Sequence, residues 1–475
     1  MRYQLRSTLL VTLSALSLQV SATSPIDKLP QGSRVNLLIQ DLNNRNLSHS
    51  TGNTDQFFPP ASTLKVVTAL AAKLELGDEF HYQTELSKVG NDLVIKFSGD
   101  PTLTTDDLAN MLKMAKENGL KSISGDIWLD NSAFTGYDRA VGWPWDILGV
   151  CYSAPASAIT LDKNCAQASI YTKDNGQTRV FVPQHYPIHV TTSAQTVTKA
   201  GQESTQCDLE LVTTPDNHYE LQGCLVSRSK PLPLKFAIQN PALYAQRMIY
   251  TQLNRLDIDL HGEVKIGTPE GRRYKTLAIH RSAALPQLLD IMLKKSDNLI
   301  ADSLTRTIGA QFYIQPGSFK NGTQAIKQVI FANTGIDLEQ AQMADGSGLS
   351  RNNRFNSKDM AAILQYIWQN DNRLHLIEHL PTSGQNGTLQ YRSSMRKSPI
   401  KGQLIAKSGS LYGSYNMAGY GLDQTGKPSS LFVQFVTDYH PKKQSNAKPV
   451  AAPIVQFETL FYQDVIKFSQ TISKK

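Results

Sequence analysis

Three short motifs constrain this chain more than anything else in it. They are Ser62-Thr63-Leu64-Lys65, Ser296-Asp297-Asn298 and Lys407-Ser408-Gly409. Ser62 and Ser296 stand 234 residues apart, and Ser296 and Lys407 stand 111 apart. For the three to serve one site, the fold must bring both ends of the chain together around whatever lies between.

Each motif carries chemistry that the others complete. A helical pattern begins at Ala61, with Leu64, Val66, Val67, Leu70 and Leu74 on its apolar face and Pro59-Pro60 at its entry. Ser62 and Lys65, three apart, share a face of that helix. Ser62 lies near its N-terminus, where N–H groups and the dipole favour negative charge. A serine hydroxyl is a weak nucleophile and needs a base. Lys65 supplies one when neutral, a state that burial and a nearby cation both favour. Ser296 can pass a proton to a leaving group, and Asn298 can orient Lys65 and bond a substrate amide. Lys407 can hold a substrate carboxylate and lower the pKa of Lys65. Ser408 adds a hydroxyl to that carboxylate, and Gly409 lets a substrate backbone come close. The N–H groups of Ser62 and Ser410 suit an oxyanion hole. Taken singly, each motif reads equally well as a cap and a solvated charge. The specific signal is the set, in this order, on a helix, a helix junction and a strand.

Composition sets the frame. At roughly 150 residues per domain, 475 residues predict about three units, or one large domain with insertions. Hydrophobic residues are 40% and charged residues 19%, which excludes disorder, collagen and coiled coil. The net charge is +8, spread along the chain without a basic run, so nucleic acid is not an expected partner. The charge reads as diffuse solubility charge, though it would also suit an anionic polymer.

Arg2 and Arg6, the apolar stretch Leu9 to Leu18, and Val20-Ser21-Ala22 read as a cleaved signal peptide over residues 1–22. No later stretch reaches the ~18 apolar residues of a membrane span, so no transmembrane anchor is expected. Export fits the four cysteines, Cys151, Cys165, Cys207 and Cys224. Two disulfides have three connectivities, of which Cys151–Cys165 with Cys207–Cys224 is the simplest. Each would add about 3 kcal/mol through the unfolded state. Zinc is disfavoured by the lack of Cys-x-x-Cys spacing.

Along the chain, Arg34–Asp41 alternates as a strand. Thr84–Val89 and Leu93–Phe97 flank a turn at Gly90-Asn91-Asp92. A helix is expected from Thr105 to Lys116, capped by Thr104 or Thr105. A Thr-, Val- and Pro-rich run then continues to about Ile279, reads as β-rich, and holds every cysteine. Helices follow from Ser282 (with Pro286 in the first turn), over Asn298–Ile308, Thr323–Asn333 and Lys358–Gln369. Strands return at Gln403–Ser410, Ser414–Leu422 and Ser430–Thr437. A last amphipathic helix carries Phe457, Leu460, Phe461, Val465 and Phe468 and is expected to pack on a sheet.

The three motifs match the Ser-x-x-Lys, Ser-Asp-Asn and Lys-Thr-Gly set of penicillin-binding proteins and serine β-lactamases. With the wide first spacing, the chain closely resembles the class C low-molecular-mass penicillin-binding proteins, the D-alanyl-D-alanine carboxypeptidase/endopeptidase group. Pro60-Ala61-Ser62, Gly142-Trp143-Pro144-Trp145, Leu293-Lys294-Lys295-Ser296-Asp297-Asn298 and Asp345-Gly346-Ser347-Gly348-Leu349-Ser350-Arg351 carry the same resemblance. It implies an α/β (α+β) catalytic domain, an antiparallel sheet flanked by helices, made of residues 23–84 and 280–475. Residues 85–279 would be a β-rich insert of one or two small domains.

It also implies a periplasmic serine DD-peptidase acting on peptidoglycan, with β-lactams as covalent inhibitors of Ser62 and no cofactor or metal. A homodimer is left open. The resemblance adds Asp162, reaching the site from the insert, and Arg351, contacting a substrate carboxylate. Ser408 departs from the usual threonine, keeping the hydroxyl and losing a methyl. A β-lactamase lacks support, since no Glu-x-x-x-Asn-like segment stands near the motifs. A non-catalytic wall-binding protein is disfavoured by the intact motifs.

Three other patterns are weaker. His375-Leu376-Ile377-Glu378-His379 reads as an inverted zinc-protease motif with both histidines on one helix face. Asn321-Gly322-Thr323 and Asn386-Gly387-Thr388 match a glycosylation pattern but read as turn and capping sequences. No P-loop or Rossmann fingerprint is present.

Overall fold

The structure is a computed structural model and describes residues 24–270, 273–442 and 450–472. Residues 1–22, read above as a signal peptide, and the lysines at the C-terminus lie outside the described residues.

The strand Arg34–Asp41 forms where its alternation places it. Leu37 and Ile39 turn to one face and meet Phe457, Phe461 and Val465 of the terminal helix Pro453–Ile472. Leu38 turns to the other face. The strand pairs antiparallel with Ser48–Thr51 on one side and Pro428–Thr437 on the other. Beyond Pro428–Thr437 come Ser414–Leu422 and then Leu404–Leu411, also antiparallel. One five-stranded sheet therefore unites the two ends of the chain.

The second face of this sheet packs on helices Leu64–Glu75, Leu285–Lys295, Asn298–Tyr313, Phe319–Thr334 and Ser357–Gln369. Leu64 through Lys73 are all buried, so the first of these helices is wrapped by others. Among the described residues, no helix is long and apolar enough to cross a membrane.

The chain leaves this unit and returns to it through neighbouring strands, Gln83–Val89 and Lys275–Arg281, which pair antiparallel. Lys275–Arg281 is the edge and Gln83–Val89 the next strand of a second five-stranded sheet covered by helices Thr105–Glu117 and Pro241–Leu256. Thr104 caps the first of these, accepting from Asp107 N at 3.2 Å. Farther out lie a three-stranded and a four-stranded sheet that share a core around Ile170, Tyr219 and Phe236. The disulfides are Cys151–Cys165 and Cys207–Cys224.

Two local expectations change. A 16-residue helix, Pro241–Leu256, stands in the run read as β-rich. Asn240 caps it by accepting from Leu243 N at 3.0 Å, and Tyr244, Ala245, Met248 and Ile249 form its buried stripe. That short helical period was masked by the strand-like composition around it. Within the same β-rich run, Ser122–Ile123 and Ile127–Asp130 are separate strands that pair in parallel with different neighbours, so the run is not one continuous β block.

Candidate active site

Ser62 sits in a one-turn 3-10 segment, Ala61–Thr63, that leads into the helix Leu64–Glu75. The turn is held from two sides. Ala61 takes a positive φ of 47°. Gly348 packs so tightly there that a Cβ on it would lie 1.9 Å from Ala61 O. From the sheet side comes Gly409, whose missing Cβ would lie 2.9 Å from the backbone nitrogens of both Ser62 and Thr63. Both glycines allow backbone to approach the nucleophile's turn more closely than any side chain permits.

One helical turn on, Lys65 Nζ lies 3.0 Å from Ser62 Oγ. It is fully buried. It donates to Asn298 Oδ1 and to Ser347 O, each at 2.6 Å. A neutral amine has two N–H bonds and one lone pair. The two acceptors can take both N–H groups, which leaves the lone pair for the Ser62 hydroxyl. Burial lowers the Lys65 pKa from 10.5 to about 8, against the opposing pull of Asp302, Asp345 and Asp297. Of the two causes expected from the sequence, burial and a nearby cation, burial is the one that lowers it.

Ser296-Asp297-Asn298 is the corner between helices Leu285–Lys295 and Asn298–Tyr313. Ser296 closes the first helix at φ 58°. Asp297 caps the second, accepting from Ile300 N at 3.1 Å. The capping reading of this tripeptide therefore holds for Asp297, while Ser296 and Asn298 face the site. Left-handed backbone at a serine costs about 1 kcal/mol or more and is typical of functional corners.

Lys407, on the strand Leu404–Leu411, donates to Ser296 Oγ at 2.9 Å and to Ser408 O at 2.8 Å. Burial first, then the Lys65 and Arg392 cations, hold its pKa well below the ordinary lysine value. The Ser408 hydroxyl pairs with Thr388 Oγ1 at 2.9 Å. Ser410 follows on the same strand and is exposed. Ser62, Lys65, Ser296, Asn298, Lys407, Ser408 and Gly409 are thus linked by direct contacts.

Asp162 and Arg351 are placed differently. The Asp162 carboxylate is turned toward helices Thr105–Glu117 and Pro241–Leu256, accepting from Thr105 N at 2.8 Å and from Tyr244 Oη at 3.0 Å. Its neighbour Lys163 faces the corner, with Nζ 3.8 Å from Asp297. The insert also reaches the site through Tyr152, whose carbonyl accepts from Asn298 Nδ2 at 2.8 Å. The Cys151–Cys165 disulfide anchors that turn. Arg351 is exposed, and its backbone N–H donates to Gly142 O at 2.9 Å.

Several supporting residues have no role assigned by the sequence, Asp302 because no motif contains it, and Asp345 and Thr388 because they appear only as members of quoted motifs. Asp302 is fully buried and accepts from Gly346 N at 3.1 Å and Ser347 N at 2.9 Å, presenting Ser347 O to Lys65. Burial beside Asp345 pushes its pKa well up. Asp345 accepts from Trp143 Nε1 at 2.8 Å, Gly348 N at 2.8 Å, Ser350 N at 2.6 Å and Asn353 Nδ2 at 2.8 Å. It ties the Gly142-Trp143 segment to the Asp345–Ser350 loop. Thr388 had been read only as part of a turn motif, and Asn386 does serve that turn by accepting from Thr382 N at 2.9 Å.

The His375–His379 pattern is not one helix. The helix Asp371–Leu374 ends before it, His375 is left-handed, and Ile377–His379 is a separate 3-10 turn. The two histidines therefore do not share a helical face.

Comparison with known proteins identifies the family and the fold. The model of the D-Ala-D-Ala carboxypeptidase 3 (S13) family matches residues 19–460. D-alanyl-D-alanine carboxypeptidase DacB of Haemophilus influenzae is 38% identical over 460 residues, 94% of each chain. The crystal structure of penicillin binding protein 4 from Haemophilus influenzae aligns with a TM-score of 0.85 at 38% identity, covering 93% of this chain and 98% of that one. The same protein complexed with a β-lactam aligns at a TM-score of 0.80 and 37% identity, with the same coverage. The α/β fold, with its antiparallel sheet between helices, is thus the fold of penicillin binding protein 4. The chain belongs to the D-Ala-D-Ala carboxypeptidase S13 family.

Proposed function

We propose that the protein is a periplasmic serine DD-peptidase acting on peptidoglycan stem peptides, both as a D-alanyl-D-alanine carboxypeptidase and as a DD-endopeptidase. The observation that carries this reading is the Lys65 amine, buried, with both N–H groups engaged and its remaining contact on Ser62 Oγ. That is the arrangement a general base needs.

Ser62 Oγ attacks the carbonyl carbon of the penultimate D-alanine while Lys65 takes its proton. The N–H groups of Ser62 and Ser410 hold the developing oxyanion. When the tetrahedral adduct collapses, the C–N bond breaks and Ser296 passes a proton to the leaving amine. Lys407 positions Ser296 and, with Ser408, meets the substrate's terminal carboxylate. Water then hydrolyses the ester on Ser62. A leaving D-alanine makes this carboxypeptidase action, and a leaving diaminopimelate side-chain amine makes it endopeptidase action. Penicillin acylates the same hydroxyl. The organisation we propose is nested, with residues 23–84 and 280–475 forming the catalytic domain and 85–279 inserted as two subdomains.

Labelled penicillin tests the nucleophile. Wild type should be tagged and Ser62→Ala should not; equal labelling refutes the assignment. Incubation with pentapeptide and cross-linked muropeptides, followed by chromatography, tests the two activities. Products unchanged from substrate would refute the peptidase reading.

A further inference from the structure

A cavity of about 770 Å³ opens beside Ser296 and Asn298, between the catalytic corner and the insert. Its apolar lining includes Leu211, Leu221 and Phe236. Three lysines line it as well: Lys163, Lys235 and Lys295. They come from three separate segments, a turn of the insert, the strand Leu232–Ala237 and the end of the helix Leu285–Lys295. The lining has a single carboxylate, Asp297, and Lys163 pairs with it. Lys235 and Lys295 are exposed, and neither joins an ion pair among the described residues. A second hollow shares Lys163 and Lys235 with the first and continues the basic lining to Arg255, past Asp106 and the engaged Asp162. Two uncompensated cations in a concave, partly apolar site favour an anionic ligand there.

Position relative to the chemistry selects the ligand. Ser296 protonates the leaving nitrogen, so whatever extends from that nitrogen passes the corner that Ser296 shares with the cavity. A leaving D-alanine needs no such volume. A cross-link releases a whole stem peptide: the diaminopimelate carboxylate beside the leaving amine takes the place of the terminal carboxylate at Lys407, and farther out the peptide carries the free carboxylates of its γ-linked glutamate and of its own C-terminus.

We propose that this cavity is the subsite for the leaving-side peptide of a cross-link, with Lys163, Lys235 and Lys295 pairing its carboxylates. The proposal rests on the peptidase reading above and adds a determinant of substrate choice. Paired charges at such a site act on both encounter and binding, and both effects weaken with salt.

The test compares wild type with the Lys235→Glu/Lys295→Glu double variant and with Lys235→Gln. Penicillin labelling stoichiometry verifies that each variant is folded. The expected result is a fall of at least about tenfold in the ratio of kcat/KM for a cross-linked muropeptide dimer to that for a monomeric pentapeptide. Lys235→Gln should give a smaller fall, and 0.5 M salt should lower the wild-type ratio. An unchanged ratio, or equal loss on both substrates, overturns the proposal.

Binding of the dimer to Ser62→Ala protein, with and without the double substitution, gives an independent reading. If wild type takes penicillin yet cleaves no dimer, the endopeptidase assignment fails by itself. The subsite is then judged on binding: at least about tenfold weaker binding in the substituted protein supports it, and equal binding overturns it.

Discussion

Lys65 must lose its proton before it can accept one from Ser62, and its surroundings set the pH at which it does so. The drop from 10.5 to about 8 amounts to about 3 kcal/mol of bias toward the neutral amine, at about 1.4 kcal/mol per pH unit. At pH 7 about a tenth of the enzyme then carries the active base. The second-order rate constant for acylation by a fluorescent penicillin should therefore rise about tenfold from pH 7 to a plateau above about pH 9, with its midpoint near 8. The sign is fixed because the neutral form is the competent one, so activity is lost as pH falls through the folded pKa.

Lys65→Arg keeps a cation in the pocket but cannot be neutral, because a guanidinium stays protonated. Its acylation rate should drop by about 10²- to 10⁴-fold at every pH. The assay is time-resolved labelling from pH 6 to 10 for both proteins. A profile that is flat, one that rises only near pH 10, or a Lys65→Arg variant with more than a tenth of wild-type rate would refute the reasoning.

Other perturbations probe the scaffold. Gly409→Ala sets a methyl 2.9 Å from the Ser62 and Thr63 nitrogens; acylation should fall by at least about 100-fold, while the melting temperature falls far less. Asp302→Ala leaves the Gly346 and Ser347 N–H groups without their acceptor, so thermal unfolding should show a loss of about 3 kcal/mol, with Asp302→Asn losing less. Removing the Cys151–Cys165 disulfide as a double serine variant should cost about 3 kcal/mol in denaturant unfolding and slow acylation severalfold, through the Tyr152 turn that meets Asn298. Glu458 is buried on the terminal helix and pairs with Arg392 in a two-pronged contact that Ser394 Oγ joins at 2.6 Å. Glu458→Ala strands that guanidinium, and calorimetry should show a loss of about 3 to 5 kcal/mol.

Much of this molecule is legible in its sequence, because local rules govern those parts. Arg34–Asp41 reads as a strand because alternation is a property of eight consecutive residues. Thr104 announces its helix by the cap it makes. Ser62 and Lys65 fall on one face because three residues make most of a helical turn. The joining of the chain's two ends also follows, since the three motifs must meet.

What the sequence leaves undetermined depends on contacts between residues hundreds apart. The pKa of Lys65 is set by burial among segments near residues 298 and 347, and no window around position 65 contains them. Asp302 and Thr388 look like ordinary helix and turn residues, and Asp345 is a motif residue without a stated role, until the fold gives their polar atoms partners. Asp162 and Lys163 are adjacent in sequence, yet one turns toward helices Thr105–Glu117 and Pro241–Leu256 and the other toward Asp297. The sequence determined the three motifs, their order along the chain, and the candidates Ser62 and Lys65. Only the tertiary structure decided how the base is desolvated and which face of the insert meets the site, because both depend on packing at long range.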